Sequence, residues 1–134
     1  MSAYIANTAT VSANAKVEGN ARVMGNAKVS GDAEVVGNSN VYGNASICQN
    51  AKVQDNAHVF GNAIVSGIAQ VKGNAKVYEN AVIAYNARVG GNAKVFGEVH
   101  VTGDAVVIGF SILERDVTIS DGWYRSIHWW RDIP

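Results

Sequence analysis

Large apolar residues recur at every sixth position along almost the whole chain. From Ile5 to Ile119 that slot is filled twenty times, always by Val, Ile or Leu. Two positions before each stands a second apolar slot, from Ala3 to Val117, holding sixteen Ala, two Ser (Ser39, Ser111) and two Val (Val99, Val117). A period of six fits no 3.6-residue helix. The local pattern Ala-x-Val is the alternation of a strand: small side chain inward, any side chain outward, large side chain inward. Val-rich slots favour extended backbone. Between Asn14 and Asn92 the position ahead of the Ala is Asn twelve times, with Asp32 and Ile68 as exceptions. Gly-Asn predicts a tight corner, because both residues tolerate positive φ. Each hexad is therefore a very short strand plus a corner. Such a unit cannot bury its own apolar side, but stacked coils can, so the pattern predicts a parallel β-solenoid.

The outward slots give the number of sides. Sorted by 18 residues, the slot after the large residue reads Met24, Tyr42, Phe60, Tyr78, Phe96 on one side and Ser12, Ser30, Cys48, Ser66, Ala84, Thr102, Ser120 on another. Sorted by 12 the two sets mix. Three strands per coil are predicted, giving an all-β prism on the order of 30 Å long at about 4.8 Å per coil.

The hexad, worded GNAxVxGNAxV over long stretches, resembles the hexapeptide-repeat, left-handed β-helix family across residues 3–122. The left hand is implied by that resemblance, since parallel crossovers are ordinarily right-handed. The wording is also similar to the very regular hexapeptide proteins of enterobacteria and their prophages, which are usually labelled as transferases. Parallel homotrimers are typical of the family, so the resemblance implies a homotrimer. A trimer closed by rotation brings two different surfaces of each chain together.

Three faces follow from the period. Face one carries a basic column, Arg22, His58, Lys76 and Lys94, beside the aromatic column Tyr42, Phe60, Tyr78 and Phe96. These aromatics read either as rings stacking on one another or as a contact surface for a ligand or partner; the second is the expectation. Face two is flat and small, with an apolar centre at Cys48, Ile64, Val82 and Ala84 and with His100 nearby. It is the expected oligomer interface, meeting face one of the next chain. Face three, with Lys16, Glu34, Lys52, Gln70 and Arg88, is mixed in charge and reads as solvated. The repeat is assigned to residues 1–122. Residues 123–134 form a C-terminal cap or docking segment, predicted helical from the spacing of Trp123, Ile127 and Trp130, with Asp121 as its N-cap.

Composition narrows the functional classes. Formal net charge is zero and only 16% of residues are charged, so neither a nucleic-acid partner nor a membrane-surface footprint is predicted. No window holds 18 apolar residues, and MSAYIANTAT lacks a basic stretch leading into an apolar run. With a single cysteine, Cys48, no internal disulfide framework is available, and a cytoplasmic address is expected.

Acyltransferases of the family take coenzyme A or acyl carrier protein between neighbouring chains. They use a His as general base, a role suited to its ordinary pKa. Loops extruded from the coils commonly help to form the site, and this sequence has none. His58, within the aromatic and basic columns, is the candidate base. His100 and His128 read as interface, surface or structural residues, and Cys48 as a packing residue. A zinc site of three converging His is not expected. His58 and His100 stand two and a third coils apart, roughly 11 Å along the axis. An ice-binding face would need a regular Thr ladder, which Thr10, Thr102 and Thr118 do not form. The leading expectation is a non-catalytic binding or scaffold homotrimer without a cofactor. The alternatives are a small acyltransferase with an acetyl- or acyl-coenzyme A donor, and a phage-type inhibitor or sequestering module for a small ligand.

Overall fold

The computed structural model describes residues 3–125. They form twenty-one strands of two or three residues, joined by corners of three or four. The strands sort into three parallel, seven-stranded sheets, each taking every third strand in order. Sheet one starts with Tyr4–Ile5 and ends with Ile112–Leu113. Sheet two runs from Thr10–Val11 to Thr118–Ile119, and sheet three from Lys16–Val17 to Trp123–Arg125. Pairing is at an 18-residue register, as in His58↔Lys76, Ile64↔Val82 and Gln70↔Arg88. The three-sided parallel solenoid predicted from the hexad is therefore the fold.

The core is the two apolar slots. From Ala21 to Ala105 every Ala and every large residue of the repeat is buried. Fully burying one Val contributes about 1.5–3 kcal/mol, and Ala in the other slot leaves room for the Val of the adjoining side. The exceptions to Ala have local explanations. Ser39 is buried, but its hydroxyl donates to the carbonyl of Val36 at 2.8 Å; Ser111 does the same to Ile108 at 2.8 Å. The corners ahead of Val99 and Val117 are open bends rather than tight turns. At both, a bulkier, branched side chain stands where Ala is usual, and the strand ladder continues with ordinary bonds of 2.9 and 2.8 Å at the Val99 and Val117 carbonyls.

The corners differ from the expectation in one respect. Positive φ falls on the Gly slot, as at Gly61 (φ 68°), and on Gln49, Asp55, Glu79, Tyr85 and Arg115 where they replace Gly. The Asn slot does not share it. Asn is there for its side chain, which donates to the same slot one coil on: Asn20 to Asn38 at 3.1 Å, Asn62 to Asn80 at 3.3 Å, Asn74 to Asn92 at 3.2 Å. Each ladder runs toward the C-terminal coils, so its last member only has to accept. A carboxylate meets that need at Glu98, bonded by Asn80, and at Asp104, bonded by Asn86, both at 3.0 Å.

The C-terminal end departs from the predicted helix. Trp123–Arg125 is not the start of a helix but the last strand of sheet three, paired Val106↔Trp123, Val107↔Tyr124 and Ile108↔Arg125. The register here is 17, because the corner through Gly122 (φ 90°) is one residue shorter. Tyr124 thereby takes the inward slot and packs half-buried on the core, while Trp123 points outward. Asp121 precedes a strand and caps no helix. The described residues contain no helix. Ile127, His128 and Trp130, the rest of the predicted cap, lie outside the described residues.

Candidate functional site

Sheet one presents two columns side by side. Arg22, Asn40, His58, Lys76 and Lys94 follow one another in strand register. Beside them Tyr42, Phe60, Tyr78 and Phe96 stack with centroids 4.8, 4.9 and 4.8 Å apart and planes inclined by only 0°, 2° and 8°. The rings inherit the spacing of the hydrogen-bonded strands beneath them. Their faces are turned to one another, so what they offer outward is ring edges, which carry the positive end of the aromatic quadrupole. Burial raises the Tyr42 phenol pKa. Tyr78 is raised by burial first, then by the Glu79 and Glu114 carboxylates. Both phenols are therefore protonated donors at neutral pH.

His58 stands between Asn40 and Lys76 in its column. Partial burial, and then the Lys76 charge, lower its pKa below the ordinary 6.5. Its imidazole is neutral at pH 7 and able to accept a proton. Neither register neighbour is an acid that would hold the ring as a base is held in a catalytic pair.

Sheet two brings the expected interface residues onto one face. Ile64, Val82 and His100 form one column, with Ile64 39% exposed. Cys48 and Ala84 belong to the adjacent column, half-buried. Burial raises the Cys48 pKa, so the thiol is protonated. His100 is exposed, between Val82 and Thr118. The fold places His58 and His100 on different sheets, and His128 is outside the described residues. Among the described residues no group of three or more His, Cys, Asp or Glu could hold a metal ion.

Sheet three holds a feature absent from the sequence reading: an open groove of about 650 Å³. Its floor is the outward column Lys52, Gln70, Arg88 and Val106. One wall is the corner slot, with Asn50, Ile68, Asn86 and Asp104, and Trp123 closes the C-terminal end. Ile68 and Trp123 are 55% and 69% exposed. The groove was missed because Trp123 was grouped with a helical tail. The signal was present in the repeat: Asp121, two residues before Trp123, matches Asp104, two residues before Val106, at a step of 17.

Comparison with known proteins returns no match: no family model, no curated protein and no solved structure is similar enough to this chain to count as one.

Proposed function

We propose that this chain is a non-catalytic binding scaffold that works as a homotrimer, sheet one of each copy meeting sheet two of the next. The observation that carries the reading is the ring column of sheet one, held rigidly in register beside its cations. Ordered aromatic edges and cations form a preorganised contact face, whose side chains have little rotamer freedom left to lose on binding. Sheet two offers the matching surface, an apolar strip at Ile64 and Val82 flanked by small residues that allow close approach. Charge is consistent with the pairing. Glu79 and Glu98 lie on the corner joining sheets one and two, each within four residues of Lys76 and Lys94 respectively. In a parallel trimer equal heights meet, so a neighbour's Glu79 and Glu98 come level with these two lysines. Native mass spectrometry of the intact chain tests the reading. A species of three chain masses is expected; a monomer at micromolar concentration overturns it.

A second reading, an acyltransferase of the kind the hexapeptide resemblance implies, has one observation in its favour. His58 is neutral and lies where the trimer would form a groove between chains. Incubation with acetyl-coenzyme A and a panel of amines and sugars separates the two. Thiol release that disappears in His58→Gln, with the trimer intact, would replace the binding reading with the catalytic one.

A further inference from the structure

We propose that the groove on sheet three binds a short carboxylated oligosaccharide. The inference is independent of how sheets one and two are used, since sheet three is the face that the proposed trimer leaves free.

The groove's volume, about 650 Å³, is that of a small-ligand site. Its lining departs from the repeat in a consistent direction. The corner slot that is Asn at twelve of the fourteen positions between Asn14 and Asn92 becomes Ile68, and the outward column continues past Val106 to an indole, Trp123, with 69% of its surface open. Tyr85, next in the chain to Asn86 though outside the groove lining, is equally exposed, and it occupies a left-handed backbone slot (φ 61°) that is usually Gly. The exposed indole of Trp123 in an open polar groove suits a pyranose ring, which carries C–H groups on its faces and hydroxyls around its rim.

The polar groups fit that rim. Asn50, Gln70 and Asn86 each carry donors and an acceptor, as hydroxyls require. Asp104, oriented by the 3.0 Å bond from Asn86, adds an acceptor. Arg88 lines the groove between the uncharged Gln70 and Val106, and a guanidinium pairs with a carboxylate through two parallel bonds. Lys52 lies two strands away in the same column, roughly 9.6 Å at about 4.8 Å per coil. That is close to the span of two sugar rings in an extended chain. Cations so spaced, with an amide between them, match a uronic-acid oligomer better than an isolated phosphate. At the groove's centre an extended peptide finds no free strand edge, since Gln70 is paired on both sides. Formal net charge is zero, so the chain as a whole exerts no attraction on a polyanion such as nucleic acid.

The test is isothermal titration calorimetry on the full chain with galacturonate trimer, hyaluronate tetramer and sialyllactose. Galactose trimer and lactose serve as uncharged controls, hexaglutamate and single-stranded DNA as anions of other classes. Binding of at least one carboxylated glycan is expected, at least tenfold tighter than its uncharged control. Trp123→Ala should abolish it, Arg88→Gln should weaken it about tenfold or more, and Lys16→Ala, exposed on the same sheet but outside the groove lining, should leave it unchanged. Binding to none of the three glycans, equal binding of the uncharged controls, indifference to Trp123→Ala, or tighter binding of hexaglutamate or DNA would each overturn the proposal.

Discussion

Phe60 and Tyr78 lie face to face, ring centroids 4.9 Å apart and planes within 2° of parallel, because they follow strands paired at an 18-residue register. The contact is a direct product of the repeat. It also makes Phe60, with Tyr42 below it and Tyr78 above, one of the two inner members, with Tyr78, whose loss breaks two pairs at once. An aromatic pair contributes about 0.5–1.5 kcal/mol beyond its buried area. Phe60→Ala should therefore cost about 1–3 kcal/mol in urea unfolding. An unchanged midpoint would show that the column adds nothing to stability.

Val65 is fully buried at the centre of the prism. Val65→Asp puts a carboxylate where no water reaches, at a cost of several kcal/mol even after its pKa shifts. Soluble folded protein should be lost on expression. Lys16→Ala, on an exposed position of sheet three, should melt with the parent.

The fold was legible because the solenoid's constraints are all periodic. The Val slot sets the strand, the Ala slot the inward crowding, and the 18-residue recurrence of Tyr42, Phe60 and Tyr78 the number of sides. Ring stacking, one of the two readings of those aromatics, is what the geometry shows. Where one residue drops out of the period, legibility fails. The short corner at Gly122 shifts Trp123 and Tyr124 by one position, and a helix pattern then fits Trp123, Ile127 and Trp130 as well as a strand does. Misplacing Trp123 hid the groove, whose other residues look like ordinary solvated positions until Ile68 and Trp123 are set around Arg88. The Asn ladders were hidden for another reason. Asn is at home both in left-handed backbone and in amide ladders, and only coordinates tell the two apart.

Assembly has its own variants. Tyr78→Glu puts a charge among the ring edges of sheet one, and Ala84→Arg fills the small column of sheet two. Both should shift the intact chain from trimer to smaller species in multi-angle light scattering. Lys72→Glu, on sheet three, should not. Equal behaviour of all three variants would show that these two sheets are not where copies meet.

The pH dependence of stability follows from His58. Its folded-state pKa lies below the ordinary 6.5, through burial and the Lys76 charge. As pH falls through about 6.5 the unfolded chain takes up this proton first. The folded form then loses stability until it protonates as well, at lower pH. The contribution is thus complete above about 6.5 and declines below it. His58→Gln should flatten the fall in Tm between about pH 7 and 5, above the range in which most carboxylates titrate. A fall of the same size in the variant would assign it to other groups.

Tyr85 gives the sharpest contrast between stability and use. It is held at φ 61° and is 69% exposed, so its ring recovers little by burial. A bulky residue in left-handed backbone costs roughly 1–2 kcal/mol, and glycine removes that strain while costing somewhat more entropy on folding. Tyr85→Gly should therefore raise stability slightly, by up to about 1 kcal/mol. The reverse change at the same corner, Gly67→Ala, should lower it. Gly67 is at φ 66°, and a Cβ there would fall 2.7 Å from the Tyr85 backbone nitrogen. Thermal melts of the two variants against the parent check the pair. If Tyr85→Gly is the less stable chain, the Tyr85 ring makes contacts worth more than the strain, and its exposed position serves the fold rather than a ligand.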